Sequence, residues 1–192
     1  MDFTHRHVIF HNHCRQLIGL KIVKVKYAEA LSNIPDPEPQ YKTHIDAVDS
    51  VDYAVFLYTA TNDVIEVCWD TRFVQYEIGV KINESAPSPI YRLWDVSNHA
   101  MWKGILASTI INVTIGWQEI NTYKPGQKGI LGLTRAPKTV SPQYIVIAFS
   151  NGQCIYISAS QFFGDEEEAS GMLSNLLITN NKEVARRVNM IE

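Results

Sequence analysis

Cysteine is scarce in this chain. Three thiols, Cys14, Cys68 and Cys154, are spread through 192 residues without a C-x-x-C pair, which argues against a disulfide framework, a redox couple or a zinc clamp of neighbouring sulfurs. Charge is equally thin: 19% of residues are charged and the formal net charge is -3. A field that weak does not gather nucleic acid or acidic membrane, so electrostatics nominate no partner of either kind. No apolar run reaches the length needed to cross a bilayer, and the stretch from Met1 to Arg6 lacks the apolar core of a signal peptide. Cytoplasm, with its reducing conditions, is therefore the expected setting. Recognised catalytic patterns are missing too: there is no G-x-S-x-G, H-E-x-x-H, P-loop or G-x-G-x-x-G. No catalytic residue, cofactor or metal follows from the sequence, and a non-enzymatic role is the favoured expectation.

What is present is apolar residue in quantity. At 46% hydrophobic, the chain can bury a sizeable core. Its strongest organising signal comes from laying residues 17–27 over residues 105–115. Leu17, Ile18, Ile22, Val23, Val25 and Tyr27 fall on Ile105, Leu106, Ile110, Ile111, Val113 and Ile115, while Lys21, Lys24 and Lys26 fall on Thr109, Asn112 and Thr114. After each segment comes a long irregular stretch, then two strand-like runs around a tight polar turn, the pattern of a β-hairpin. The hairpins are expected at Tyr53–Tyr58 with Val64–Trp69, and at Tyr144–Phe149 with Cys154–Ser158, where Asn151-Gly152 suits a primed turn.

Trp102, Ile105, Leu106 and Ile110 recur at helical spacing, which predicts a helix starting near Asp95 or Ser97 with Trp102 in the core. By the same alignment His11–Ile18 is the equivalent short helix, and residues 2–10 form a lead-in or edge strand. Further strands are expected within Phe73–Ile82 and at Leu176–Thr179. A closing helix should be capped by Asn180 or Asn181 and carry Val184, Val188 and Ile191 on one face. The expected fold is α+β: two similar α-β-loop-β-β units with antiparallel sheet, residues 1–94 and 95–192, sharing one core.

The pattern Leu17-Ile18-Gly19-x-x-Ile22-x-x-Val25-x-Tyr27, the Trp94-Asp95-Val96-Ser97-Asn98 start, Trp102 and the closing strand and helix resemble a family of small bacterial proteins without an assigned activity. The resemblance spans most of the chain and rests on structural motifs, so it transfers no catalytic residue. It implies an immunity-like, toxin-neutralising protein.

Several groups invite a chemical reading. His5, His7, His11, His13 and Cys14 crowd the N-terminus, but a bend into helix near His11 scatters them, and sustained ligand geometry is what metal affinity needs. Asp46, Asp49 and Asp52 follow His44, yet they lack the glycine and terminal glutamate of a calcium loop, and aspartates before strands commonly make turn hydrogen bonds. Long loops on a rigid scaffold are common recognition elements. The first, Ala28–Ile45, carries Glu29, Asp36 and Glu38; the second, Asn121–Pro142, carries Lys124, Lys128, Arg135 and Lys138. Two functions remain in view. One is a protein-binding module using these loops and a sheet edge, with Lys124, Lys128 and Arg135 among its contacts. The other is a small-ligand or hydrolytic site between the halves, using Asp49, Asp52 and His99 with a tryptophan wall such as Trp94.

Overall fold

Thirteen elements follow one another along the chain in the computed structural model, which describes residues 3–31, 38–70, 76–84, 90–121 and 138–192. Helix α1 (Phe3–Arg15) leads into β1 (Ile22–Ala30), β2 (Asp49–Val51), β3 (Ala54–Thr59), β4 (Val64–Asp70), β5 (Glu77–Ile82) and β6 (Tyr91–Asp95). Helix α2 (Ala100–Lys103), β7 (Ile110–Asn121), β8 (Lys138–Phe149), β9 (Cys154–Gln161), β10 (Ser170–Thr179) and α3 (Lys182–Arg187) complete it. The strands make two five-stranded antiparallel sheets, ordered β5-β4-β3-β1-β6 and β2-β10-β9-β8-β7.

Alternation along each strand decides which face is buried. Val25 and Tyr27, Val55 and Leu57, Ile65 and Val67, and Ile78 and Val80 point from the first sheet toward Val113, Ile145, Ile147, Ile155, Ile157, Leu176 and Ile178 of the second. All belong to one apolar core, closed by Phe10, Cys14 and Leu17 from the α1 side and by Trp102 and Ile105 from the α2 side. The outer face of the second sheet is covered by α3, whose Ala185 and the following Val188 and Met190 pack on Tyr156 and Leu177. The outer face of the first sheet carries a smaller cluster of Ala28, Ala54, Phe56 and Cys68. Burial pushes the Cys14 and Cys68 thiols up to about 12, so both are inert apolar residues rather than nucleophiles.

The two sheets meet at a reciprocal crossing. Lys21 and Thr109 form an antiparallel bridge; around it Gly19 N–H donates to Ile110 O (2.8 Å) and Ala107 N–H to Ile22 O (2.7 Å), while Ile110 N–H donates to Leu20 O (2.9 Å) and Ile22 N–H to Ser108 O (3.3 Å). Each bond is matched by one at the position that the alignment of 17–27 with 105–115 assigns. Gly19 (φ 95°) and Ala107 (φ 65°) share the left-handed region, and both strands carry an irregularity in the same place, between Ile22 and Lys24 and between Ile110 and Asn112.

Both expected hairpins form. The second turn differs from the primed type expected at Asn151-Gly152: Gly152 (φ 84°) has positive φ, as Asn62 (φ 66°) does in the first hairpin, whereas Asn151 does not. Gly152 N–H bonds Phe149 O and Phe149 N–H bonds Gln153 O, and the first hairpin repeats this with Asn62, Thr59 and Asp63. This is a three-residue loop ending in a left-handed bulge residue. The closing helix is capped as expected, at Asn181, whose side chain accepts from Glu183 N–H and Val184 N–H (3.0 and 3.2 Å).

Three expectations need correction. Residues 3–10 are the first turns of α1 rather than a strand, because Phe10 and Cys14 share one helical face, followed by Leu17 in the turn after it, and all three dock on the core. The segment beginning at Trp94 is the end of β6 rather than the start of a helix. Here Tyr27 pairs with Trp94 and Ala30 with Tyr91, and α2 starts only after His99 and is four residues long. Finally, the long loops are shorter than expected: β1 continues to Ala30, β7 to Asn121, and β8 begins at Lys138. The proline-containing segment 86–89, Phe73, and the glycines at 126, 129 and 132 lie outside the described residues.

A turn ends β6. Ser97 N–H donates to Asp95 Oδ1 (3.1 Å) and Lys24 Nζ lies 3.1 Å from Asp95 Oδ2. These hydrogen bonds, those from Ser97 foremost, hold the Asp95 carboxyl down from 3.8 to about 2. A depressed carboxyl contributes stability above its unfolded value and loses it as pH falls through its folded one. Asp95→Asn should therefore flatten the loss of melting temperature between pH 3.8 and about 2; wild type and variant falling in parallel there would refute the assignment.

Candidate functional site

Tyr27 sits at the centre of a buried polar chain. As an inward residue of β1 it places its hydroxyl deep in the core, where that oxygen accepts from Trp102 Nε1 (2.7 Å) and donates to Asp49 Oδ2 (3.0 Å). Asp49 is 1% exposed, and its other oxygen meets Lys42 Nζ at 2.7 Å. Burial, reinforced by the Asp49 charge, pushes the Tyr27 phenol well up, so it stays a neutral donor. Tyr41 packs edge-on against Tyr27 (5.1 Å between ring centres), and its hydroxyl lies 3.4 Å from His99 Nε2. His99 Nδ1 is buried without a hydrogen-bond partner. The chain fastens β1, the 41–49 segment, β2 and α2 to one another. Asp49 and His99 are linked through the two tyrosines.

The remaining aspartate and the tryptophan do come together. Beside the chain, at the end of β1 and β6, Glu29, Glu38, Gln40, Asp52, Arg92 and Trp94 line a cleft of about 140 Å³. Glu29 was legible only as a loop charge, although the alternation Val25, Tyr27, Glu29 puts it on the inward face once β1 is allowed to continue. It accepts from Trp94 Nε1 (2.5 Å) and Gln40 N–H (3.1 and 3.3 Å). Burial raises its carboxyl, the two donors oppose that, and the Asp52 charge adds to it. Both oxygens are thus engaged by the protein itself, and the cleft has room for only a few waters. That geometry suits a clamp on the 38–40 segment better than proton transfer to a substrate.

Sheet edges offer the other opportunity. An edge strand leaves N–H and C=O groups unpaired and invites another strand, and proteins protect edges with charge, proline, shortness or cover. Three edges are so protected: β2 has three residues, β6 carries Arg92 and Asp95, and β5 is capped where His13 Nε2 lies 3.0 Å from Val80 O. The fourth, β7, is 12 residues long and carries no charged residue or proline from Ile110 to Gln118. Among the described residues it pairs with β8 alone beyond the crossing. Next to it, Trp117 stacks on His7 of α1 (ring centres 4.0 Å apart) and meets Phe10 edge-on (6.1 Å). His7, Val8, His11, Asn12 and Trp117 line an open, mostly apolar groove of about 260 Å³. Val8 is 53% exposed in it. The N-terminal histidines are thus spread around a helix, two of them tied to backbone carbonyls: His13 to Val80 and His7 to Val140 (3.4 Å). Among the described residues no cluster of three or more metal-ligating side chains occurs.

Lys124, Lys128 and Arg135 lie outside the described residues, so the second loop contributes no geometry. Trp69, Trp94 and Trp117 each line a different cleft, whereas Trp102 is fully buried, as its spacing predicts. No helix among the described residues is long and apolar enough to cross a membrane.

No family model matches this chain, and no curated protein or solved structure matches it either.

Proposed function

We propose that this chain is a non-enzymatic protein-binding module built from two copies of one sheet-forming unit, acting in the cytoplasm. Support for the duplication is the set of reciprocal bonds around Lys21 and Thr109 together with the repeated hairpin turn. The three unpaired cysteines support a reducing setting. The observation that carries the binding role is β7, a long strand that among the described residues pairs on one side and has no charge or proline in its first nine residues. Folds rarely leave such an edge bare, because it recruits other chains. The alternative, a small-ligand or hydrolytic site between the halves, has less support: Asp49 and His99 belong to a buried fastening, and Glu29 has both oxygens occupied.

The resemblance to immunity-like bacterial proteins makes a toxin the first class of partner to test. Tagged protein, cross-linked in the cells it comes from and then isolated, should carry a stoichiometric protein partner. A chain that stays solitary under every growth condition would remove the reading.

A further inference from the structure

At the end of the first sheet where β4 finishes and β5 begins, aromatic rings gather beyond the core. Trp69 lies beside Tyr53, with ring centres 6.4 Å apart and 30° between the planes, and meets Tyr76 edge-on at 5.4 Å. Its indole is fixed from two sides: the ring packs on the shared core, and Nε1–H donates to Asp52 O (2.9 Å). Together with Asp52, and with Ser174 and Asn175 of β10, the three rings line a cavity of about 270 Å³. Asp52 also lines the neighbouring cleft of Glu29 and Trp94, so one carboxylate stands between the two. Among the described residues no Lys, Arg or His lines the cavity, and no donor or cation meets the Asp52 carboxylate. Asn175 turns its Nδ2 to Ser50 Oγ (3.1 Å), which leaves its Oδ1 as a further acceptor.

We propose that this cavity binds a guanidinium group, carried by a free small molecule or by an arginine of a partner protein, against Trp69 and beside the Asp52 carboxylate. Aromatic faces are electron-rich and attract cations, tryptophan most strongly, and a carboxylate without a counter-charge adds to the same preference. The neighbouring cleft shows this chemistry within the molecule, since the Arg92 guanidinium lies 5.7 Å from the centre of the Trp94 ring. Over Trp69 no described residue supplies such a cation. The lining also decides against other ligand classes. An anion would face Asp52 with no cation to hold it, and a purely apolar ligand would leave Asp52 and Asn175 Oδ1 covered and unpaired. Between cations, guanidinium suits the cavity better than ammonium: it is planar and weakly hydrated, and it can offer N–H groups to two acceptors while its face rests on a ring. Burial raises the Glu29 carboxyl and the Asp52 charge adds to it, so a cation beside Asp52 also relieves a repulsion between the two clefts. Such a site is separate from the β7 edge and does not depend on it.

The test follows the four indole N–H resonances of the full chain while butylguanidinium is added, with butylammonium and the uncharged butylurea as comparisons. The Trp69 resonance should move and saturate with a dissociation constant on the order of 1–10 mM. The resonance of the buried Trp102 should stay in place and report an unchanged fold. Asp52→Asn, at an exposed position, should weaken butylguanidinium binding by about fivefold, and Asp52→Glu should restore most of it. Absence of a saturable shift at Trp69, an equal response to butylurea or butylammonium, or wild-type affinity in Asp52→Asn would each overturn the proposal. A shift at Trp94 alone would overturn it too, by placing the cation in the neighbouring cleft. The same variant separates the two sources. Loss of a cross-linked protein partner in Asp52→Asn assigns the guanidinium to that partner's arginine. A guanidinium compound released on denaturing the native wild-type protein, and missing from Asp52→Asn, assigns it to a free molecule. If neither is found, the cavity holds no guanidinium in the cell and the proposal falls, whatever becomes of β7.

Discussion

Trp102→Ala should destabilise the protein by about 3–5 kcal/mol, the range for removing a large buried aromatic side chain. Trp102 is fully buried, joins the core shared by both sheets, and donates its indole N–H to the Tyr27 hydroxyl at 2.7 Å. The substitution leaves a cavity where α2 meets the sheets and removes one anchor of the polar chain. Against a total stability of about 5–15 kcal/mol that is a large share, and at this chain length it corresponds to a fall in melting temperature on the order of 10 °C. Urea unfolding is the measurement, with the midpoint moving and the slope unchanged. Trp102→Phe separates packing from hydrogen bonding: it keeps most of the ring and loses only the donor, so it should cost about 1–2 kcal/mol. A loss under about 1 kcal/mol for the alanine variant would mean the site is not core.

Asp49→Ala is the second large effect, expected to cost about 2–3 kcal/mol. The buried Tyr27 hydroxyl would lose its acceptor, and β2, which pairs with β10 from Ile178 opposite Asp49 to Leu176 opposite Val51, would lose its tie to β1. Lys42 is solvated, with a side chain 66% exposed, but it is the counter-charge of a buried carboxylate, so Lys42→Ala should also destabilise the protein, by about 1–3 kcal/mol. In a double-mutant cycle with Tyr27→Phe the coupling should fall at about 0.5–3 kcal/mol, as for groups in direct contact. If Asp49→Ala left stability untouched and instead abolished partner binding, Asp49 would belong to a recognition site and the buried chain would not be a fastening.

These two residues show what kind of information the sequence held. Trp102 was legible because helical spacing with Ile105 and Leu106 is a local signal, and so were the hairpins, whose turn residues announce themselves: Gly152 and Asn62 occupy the left-handed positions that their side chains tolerate. Asp49 was legible only as a carboxylate before a strand. That it is buried and paired with Tyr27 depends on a three-residue strand joining a sheet whose next strand, β10, lies more than a hundred residues away, and nothing local encodes that contact. The same limit explains the errors at residues 3–10 and at Trp94. Val8, Ile9 and Phe10 form a short apolar run without a clear period, so tertiary docking of Phe10, Cys14 and Leu17 decided for helix. Tyr91–Asp95 became a strand because β1 presented an open edge to pair with. Glu29, the principal acceptor of the cleft with Trp94, was hidden by the same misjudged end of β1.

By itself the sequence determined the rhythm of buried and exposed positions along each strand, the places where the chain turns back, the cap at Asn181, and the matching of residues 17–27 with 105–115. Those features depend on backbone sterics and side-chain periodicity within a few neighbours. Only the tertiary structure decided which edge of each sheet was covered, because edge pairing is a competition among distant segments for the same N–H and C=O groups. β6 won that place on β1, β2 won it on β10, and α1 capped β5.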